Sequence, residues 1–94
     1  MPIDVEAIGC DVLSATSRKD LRGPRGMGFL FVRESLLPDL TPPMLDNHAA
    51  TWVDRDRIEI RTDARKFENW ECNYAAKLGM GAAIDYALDL GLES

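Results

Sequence analysis

The sequence predicts an α/β fold of one small domain over residues 1–94: a strand–turn–strand core, a further hairpin and a long C-terminal helix. Three observations carry that expectation. Two short apolar runs, Cys10–Thr16 and Gly28–Val32, flank a turn rich in glycine and arginine. A second strand pair is written in the alternation Arg57-Ile58-Glu59-Ile60-Arg61 after Thr51-Trp52-Val53. The stretch from Asn73 to Leu90 is dense in alanine, leucine and methionine and is closed by Gly91. Short apolar runs bounded by Gly and Pro favour strands, alternation favours a half-exposed strand, and a long run of good helix formers favours a helix.

Composition bounds the function. The chain is 46% hydrophobic and 29% charged, so it can fold as a globule. At this length it buries only roughly 60–65% of its unfolded surface and is marginal alone. A net charge of -5 argues against nucleic acid or an anionic membrane as a partner. The acid is unevenly spread. Residues 1–33 carry Arg18, Lys19, Arg22, Arg25 and Arg33 against Asp4, Glu6, Asp11 and Asp20. The basic turn is therefore local, which suits a small anion better than a polymer. Cys10 and Cys72 lack metal-ligand spacing and read as two reduced thiols of a cytoplasmic protein. With no signal peptide and no apolar run near ~20 residues, no membrane span is expected.

In chain order, Asp4 caps one helical turn over Val5–Ile8, and Gly9 stops it. The two strands around the basic turn pair antiparallel, because the segment between them has no crossover-helix pattern. Glu34–Leu40 forms a short helix or 3₁₀ turn limited by Pro38, and Thr41-Pro42-Pro43 opens a loop to about Ala50. His48, the one histidine, reads as a solvated loop residue. In the hairpin, Asp54-Arg55-Asp56 is the turn, Ile58 and Ile60 face one side, and Arg57, Glu59 and Arg61 face solvent. Phe67 and Trp70 read equally as packing residues or as parts of a site. The final helix has polar positions Asn73, Lys77, Asp85 and Asp89 on a narrow stripe, so it expects neighbours on most sides. Gly79 and Gly81 within it make sense where another chain segment passes close. One small monomer cannot supply all those neighbours, which points to a missing remainder or to self-association.

The candidate chemistry lies at Lys19, just past the end of a strand in a loop held by a rigid core. Glycines let a backbone approach a ligand, free amides in such a turn bind anions, and arginine forks suit phosphate or carboxylate. A lysine crowded by cations offers a neutral amine as nucleophile or base, able to form a Schiff base beside a bound phosphate. From residue types and spacing alone the first reading of Lys19 is a solvated charge.

The run Ser14–Arg33, S-A-T-S-R-K-D-L-R-G-P-R-G-M-G-F-L-F-V-R, resembles the cofactor-lysine segment of the class V aminotransferases, the cysteine-desulfurase-like branch of the pyridoxal-phosphate (PLP) enzymes. Ser14, Lys19, Gly23, Pro24, Gly26, Gly28 and the strand Phe29–Val32 match its pattern of small-residue strand end, lysine, Gly-Pro-x-Gly-x-Gly turn and apolar strand. Arg18 stands where many members have His and is similar to a subgroup that includes C–S lyases. Asp20 departs from the apolar residue usual after the lysine. Phe67, Glu68 and Asn73 fit a Phe-Glu-x-Gly-Thr-x-Asn frame, but Trp70 and Glu71 replace its small and hydroxyl residues, so no phosphate-contacting threonine is carried over.

The resemblance implies a mixed sheet, part of the large domain of a PLP-dependent transferase and the start of the return to the small domain. It implies PLP on Lys19, with Ser17 and Arg18 as further cofactor-binding residues, and no metal. It implies an amino-acid substrate, and transamination, C–S lysis or desulfuration as the reaction. Neither cysteine matches a desulfurase nucleophile. Family members are several times longer, and the aspartate for the pyridine nitrogen and the residue stacking on the ring have no counterpart here. The chain is therefore expected to be a fragment of such an enzyme, inactive by itself, in a homo-oligomer. The alternative is a non-catalytic interaction domain that self-associates.

Overall fold

The computed structural model describes residues 2–91. The described chain forms two compact units, one from residues 2–31 with 73–91 and the other from Val32–Cys72. Its architecture is mixed α/β: two separate two-stranded sheets and a long C-terminal helix.

The first unit opens on α1 (Val5–Ile8). Asp4 takes the N-cap, its carboxylate accepting from the amides of Glu6 and Ala7 at 2.9 and 3.3 Å. Gly9 ends the turn at φ 73°, a conformation that glycine adopts without the Cβ penalty. Strand β1 (Val12–Thr16) pairs with β2 (Gly28–Val32), whose last residue opens the second unit. The Ser17 amide donates to the Met27 carbonyl at 2.9 Å, so the end of β1 lies beside the start of β2 and the pair is antiparallel. Gly28 lies so close to β1 that a Cβ there would meet the Ala15 carbonyl oxygen at 2.2 Å.

Helix α2 (Tyr74–Leu90) is capped by Asn73, whose side-chain oxygen accepts from the Ala76 amide at 3.0 Å. Gly91 closes it at φ 89°, its amide donating to the carbonyls of Ala87 and Leu88. None of its residues is buried; Leu78, Tyr86, Leu88 and Leu90 are all more than half exposed. The apolar surface around this helix is thus left largely uncovered by its own unit. Gly79 does have a close neighbour. A Cβ there would stand 2.8 Å from Cγ of Pro24, whereas one on Gly81 would meet nothing within 4 Å.

The second unit holds the small core of the described chain, with Val32, Leu37, Ala49 and Ala50 buried. A 3₁₀ helix, Glu34–Asp39, contains Pro38 and ends as the Leu40 amide donates to the Leu37 carbonyl. Strands β3 (Ala50–Asp54) and β4 (Arg57–Ile60) form an antiparallel hairpin with Ala50 opposite Ile60 and Trp52 opposite Ile58. A second 3₁₀ helix, Ala64–Phe67, is capped by the Asp63 carboxylate, which accepts from the Arg65 amide at 3.0 Å. It carries Lys66 inward. Lys66 is 5% exposed, and its ammonium donates to the carbonyls of Leu37 and Leu40, pinning the end of the first 3₁₀ helix. A buried ammonium is tolerated because those carbonyls replace its water.

The two helix glycines respond oppositely to substitution. Gly81→Ala gains helix propensity against open space and should stabilise the chain by up to about 1 kcal/mol. Gly79→Ala gains the same propensity but drives a methyl into the rigid Pro24 ring, an overpacking of about 1–3 kcal/mol, and should be neutral or destabilising. Urea unfolding of the two variants beside the parent checks the sign of each.

Candidate functional site

Lys19 lies three residues beyond β1, and the turn that carries it is tied from below by Ser17. Ser17 is 0% exposed. Its hydroxyl donates to the Pro24 carbonyl at 2.7 Å, its amide donates to Met27 and its carbonyl accepts from the Gly23 amide at 2.7 Å. The strand therefore ends at a residue whose polar atoms reach to both sides of the loop. Gly23 must be glycine for this to close, since a Cβ would stand 2.7 Å from Cβ of Ser17 and 2.8 Å from its hydroxyl oxygen. The Arg22 amide donates to the Lys19 carbonyl at 2.9 Å, which closes a tight bend over Lys19–Arg22. Arg22 adopts φ 62°, the only left-handed non-glycine residue among those described. Such a conformation costs of order 1–3 kcal/mol and persists only where the surroundings enforce it. No feature of the sequence marks Arg22 for it.

Arg18 and Lys19 are both exposed. Of the three expected cofactor residues, Arg18 and Lys19 are at the surface and Ser17 is fully buried. The Ser17 amide and hydroxyl hydrogen are engaged inside the turn. Lys19 is thus a solvent-accessible primary amine on an ordered, cationic bend, which is the donor chemistry an aldehyde bearing a phosphate requires.

The other two lysines are placed differently. Lys66 is buried with its ammonium hydrogen-bonded, and Lys77 is exposed on the side of α2.

A second polar cluster lies within Val32–Cys72. Asp46 is its anchor. One carboxylate oxygen accepts from the amides of His48 and Ala49 at 2.9 and 3.2 Å, and the other from the Trp70 amide at 2.8 Å. His48, expected in solvent, is not there: its side chain is 16% exposed, with Nε2 3.5 Å from Oε2 of Glu68. Its ring meets Trp70 edge-on, with centroids 4.7 Å apart, and neither ring nitrogen has a hydrogen-bond partner or appreciable solvent access. Arg61, also expected in solvent, is half-buried and its Nε donates to the His48 carbonyl. The reason is tertiary. Asp46 folds the loop back onto the segment carrying Glu68 and Trp70, about twenty residues later, and nothing local in the sequence encodes that approach.

An α/β chain with a lysine on a glycine-rich bend between antiparallel strands defines a class, and residues 1–94 match the family model Aminotransferase class-V throughout. The chain belongs to the class V aminotransferase family. A probable cysteine desulfurase of Methanothermobacter thermautotrophicus is 35% identical over 92 residues, covering 98% of this chain and 23% of that protein. A cysteine desulfurase of Yersinia pestis is 37% identical over 92 residues, covering 97% and 22%. The crystal structure of the cysteine desulfurase CsdA of Escherichia coli superposes with a TM-score of 0.80 at 27% identity, covering 94% of this chain and 22% of that one. The chain thus spans about a quarter of the length of these relatives.

The Asp46 cluster yields a pH dependence. The Trp70 amide, followed by the amides of His48 and Ala49 and the charge on a protonated His48, holds the Asp46 carboxyl below its ordinary value of 3.8, against an opposing contribution from desolvation. A depressed folded pKa means that the stabilisation is fully present above the unfolded value and is lost as pH falls through the folded one. Asp46→Asn should therefore lower the thermal midpoint at pH 5–7, and the gap to the parent should shrink as the pH is taken below about 4. A gap independent of pH would remove the carboxylate from this role.

Proposed function

We propose that this chain carries the cofactor lysine of a PLP-dependent enzyme acting on an amino acid, with cleavage of a carbon–sulfur bond as the reaction class. The supporting observation is Lys19: an accessible amine presented on a bend that Ser17, Gly23 and Arg22 fix in place. The likeness to cysteine desulfurases supports the carbon–sulfur class over transamination.

In this reading Lys19 Nζ is the group that meets the cofactor's aldehyde, and afterwards the base that takes and returns the proton at the substrate's α-carbon. Arg18, next to it, contributes positive charge toward the phosphate. Ser17 serves by holding the bend, so that the amine does not have to be ordered at the moment of reaction. PLP itself supplies the electron sink for the α-carbon's charge. The segment by itself does not turn over substrate; it contributes the amine and its support.

Titration of the chain with PLP tests this. An absorbance band near the visible edge should appear, and borohydride should fix the label on Lys19. Lys66 should stay unlabelled, because its ammonium is buried and spent on two carbonyls, and Lys77→Ala should leave the band unchanged. Lys19→Ala should abolish it. Label spread evenly between Lys19 and Lys77 would remove the specific site and leave the non-catalytic reading.

A further inference from the structure

Ala76, Gly79, Met80, Ala83 and Ala87 of α2 are half-buried and recur at steps of three and four, so they lie along one side of the helix. Gly79 is where that side meets the Lys19 bend. A Cβ built on it would stand 2.8 Å from Cγ and 3.6 Å from Cδ of Pro24. Pro24 is also tied to the end of β1: its carbonyl accepts the Ser17 hydroxyl at 2.7 Å. Beside it the Gly23 amide donates to the Ser17 carbonyl at 2.7 Å. Pro24 is thus tied both to a helix backbone and to the residue that ends β1. All of these contacts are internal to one compact unit.

We infer that Gly79 is a positioning residue for Lys19, acting through Pro24 and Ser17. The side chain that this helix residue lacks is the seat that sets where the bend stands. Its bearing on chemistry rests on the reading of Lys19 as the amine that meets the cofactor. The coupling from α2 to the bend rests on the contacts alone.

Distances decide how far a disturbance travels. Carbon–carbon contacts settle near 3.5–4.0 Å, so a methyl on Gly79 asks for roughly 0.7–1.2 Å of retreat. The ring fixes the proline's φ, so Pro24 moves as a block and takes its carbonyl along. The Ser17 hydrogen bond, 2.7 Å long, then stretches past the ~3.0 Å limit of a good hydroxyl bond. The Gly23 bond, one residue away, is loosened with it. Lys19 hangs on the chain between Ser17 and Gly23, so its amine loses its fixed approach. A misplacement of about 1 Å costs about a hundredfold where attack needs set geometry. Gly81 is the control: it has the same gain in helix propensity on substitution, and a Cβ there meets nothing within 4 Å.

Amide hydrogen exchange of the 94-residue chain tests the coupling without any ligand. In Gly79→Ala the Ser17 and Gly23 amides should lose protection roughly tenfold. The Arg61 amide of the second unit, bonded to the Ala49 carbonyl, should keep its parent rate. Gly81→Ala should leave all three amides at or above parent protection. With the ring removed by Pro24→Ala, adding Gly79→Ala should cause no further loss at Ser17 and Gly23. In borohydride trapping with PLP, the preference for Lys19 over Lys77 should fall roughly tenfold in Gly79→Ala and hold in Gly81→Ala. Equal labelling of Lys19 and Lys77 in the parent overturns the cofactor reading alone, and exchange still decides the coupling. Parent rates at Ser17 and Gly23 in Gly79→Ala, or the same loss with the ring absent, overturn the inference. If circular dichroism shows Gly79→Ala unfolded, the Pro24→Ala background decides: a folded Gly79→Ala/Pro24→Ala supports the seat and an unfolded one overturns it.

Discussion

The Lys19 bend depends on one buried hydroxyl. Ser17 lies at the last point where β1 and β2 are still paired, and there the chain has to turn without a helix or a packed core to guide it. Its side chain and backbone supply three hydrogen bonds that reach Pro24, Met27 and Gly23. Each is worth only about 0.5–1.5 kcal/mol net, yet leaving any of these buried groups unpaired costs about 1–3 kcal/mol. The asymmetry is what makes the arrangement specific. Gly23 is glycine because Ser17 occupies its side-chain space, and beside it Arg22 takes a left-handed conformation as its amide closes onto the Lys19 carbonyl. The path of the Lys19 bend is thus settled from inside the turn, by Ser17 and Gly23.

The second unit uses polar ties in the same way. Its buried apolar residues are few and two of them are alanines. Little apolar area is removed from water, so hydrophobic burial alone leaves the loop paths loosely specified. Asp46 and Lys66 supply the missing definition. The carboxylate collects three amides from two segments, and the ammonium collects two carbonyls from the end of a 3₁₀ helix. Both are charged groups bonded to backbone, the stronger sort of hydrogen bond. Removing either leaves backbone groups in need of partners, which is why they organise more chain than their number would indicate.

These two kinds of tie also mark what could be read in the sequence. Elements whose signals are local are legible to the residue: Asp4 and Gly9 around α1, β2 over Gly28–Val32, Gly91 at the end of α2. Each rests on a cap or a breaker next to the element it bounds. The Lys19 bend was legible as a motif, but its support was not, because Ser17 acts across seven residues to Pro24. Loop position and strand alternation are local rules, and by them His48 and Arg61 belong in solvent. What overrides them is Asp46 accepting from Trp70, a contact that spans 24 residues. Lys66 is the sharper case. A lysine among charged neighbours reads as surface, and only the two carbonyls brought to it from 26 and 29 residues away make its burial tolerable.

Three lysines in one short chain show how far position decides chemistry. Nucleophilic attack needs an amine that has a free lone pair and room for the electrophile. Lys66 offers neither, since two of its three N–H bonds already point at carbonyls inside the fold. Lys77 offers room, but it sits on a helix surface with Asn73 and Leu78 beside it and no anion-binding backbone. Lys19 alone combines access, a fixed approach and neighbouring positive charge from Arg18 and Arg22. The same side chain serves as a structural ammonium in one place, a solvated charge in the second and a candidate nucleophile in the third. What separates them is the backbone each hangs from, and for Lys19 that backbone is shaped by Ser17 and Gly23.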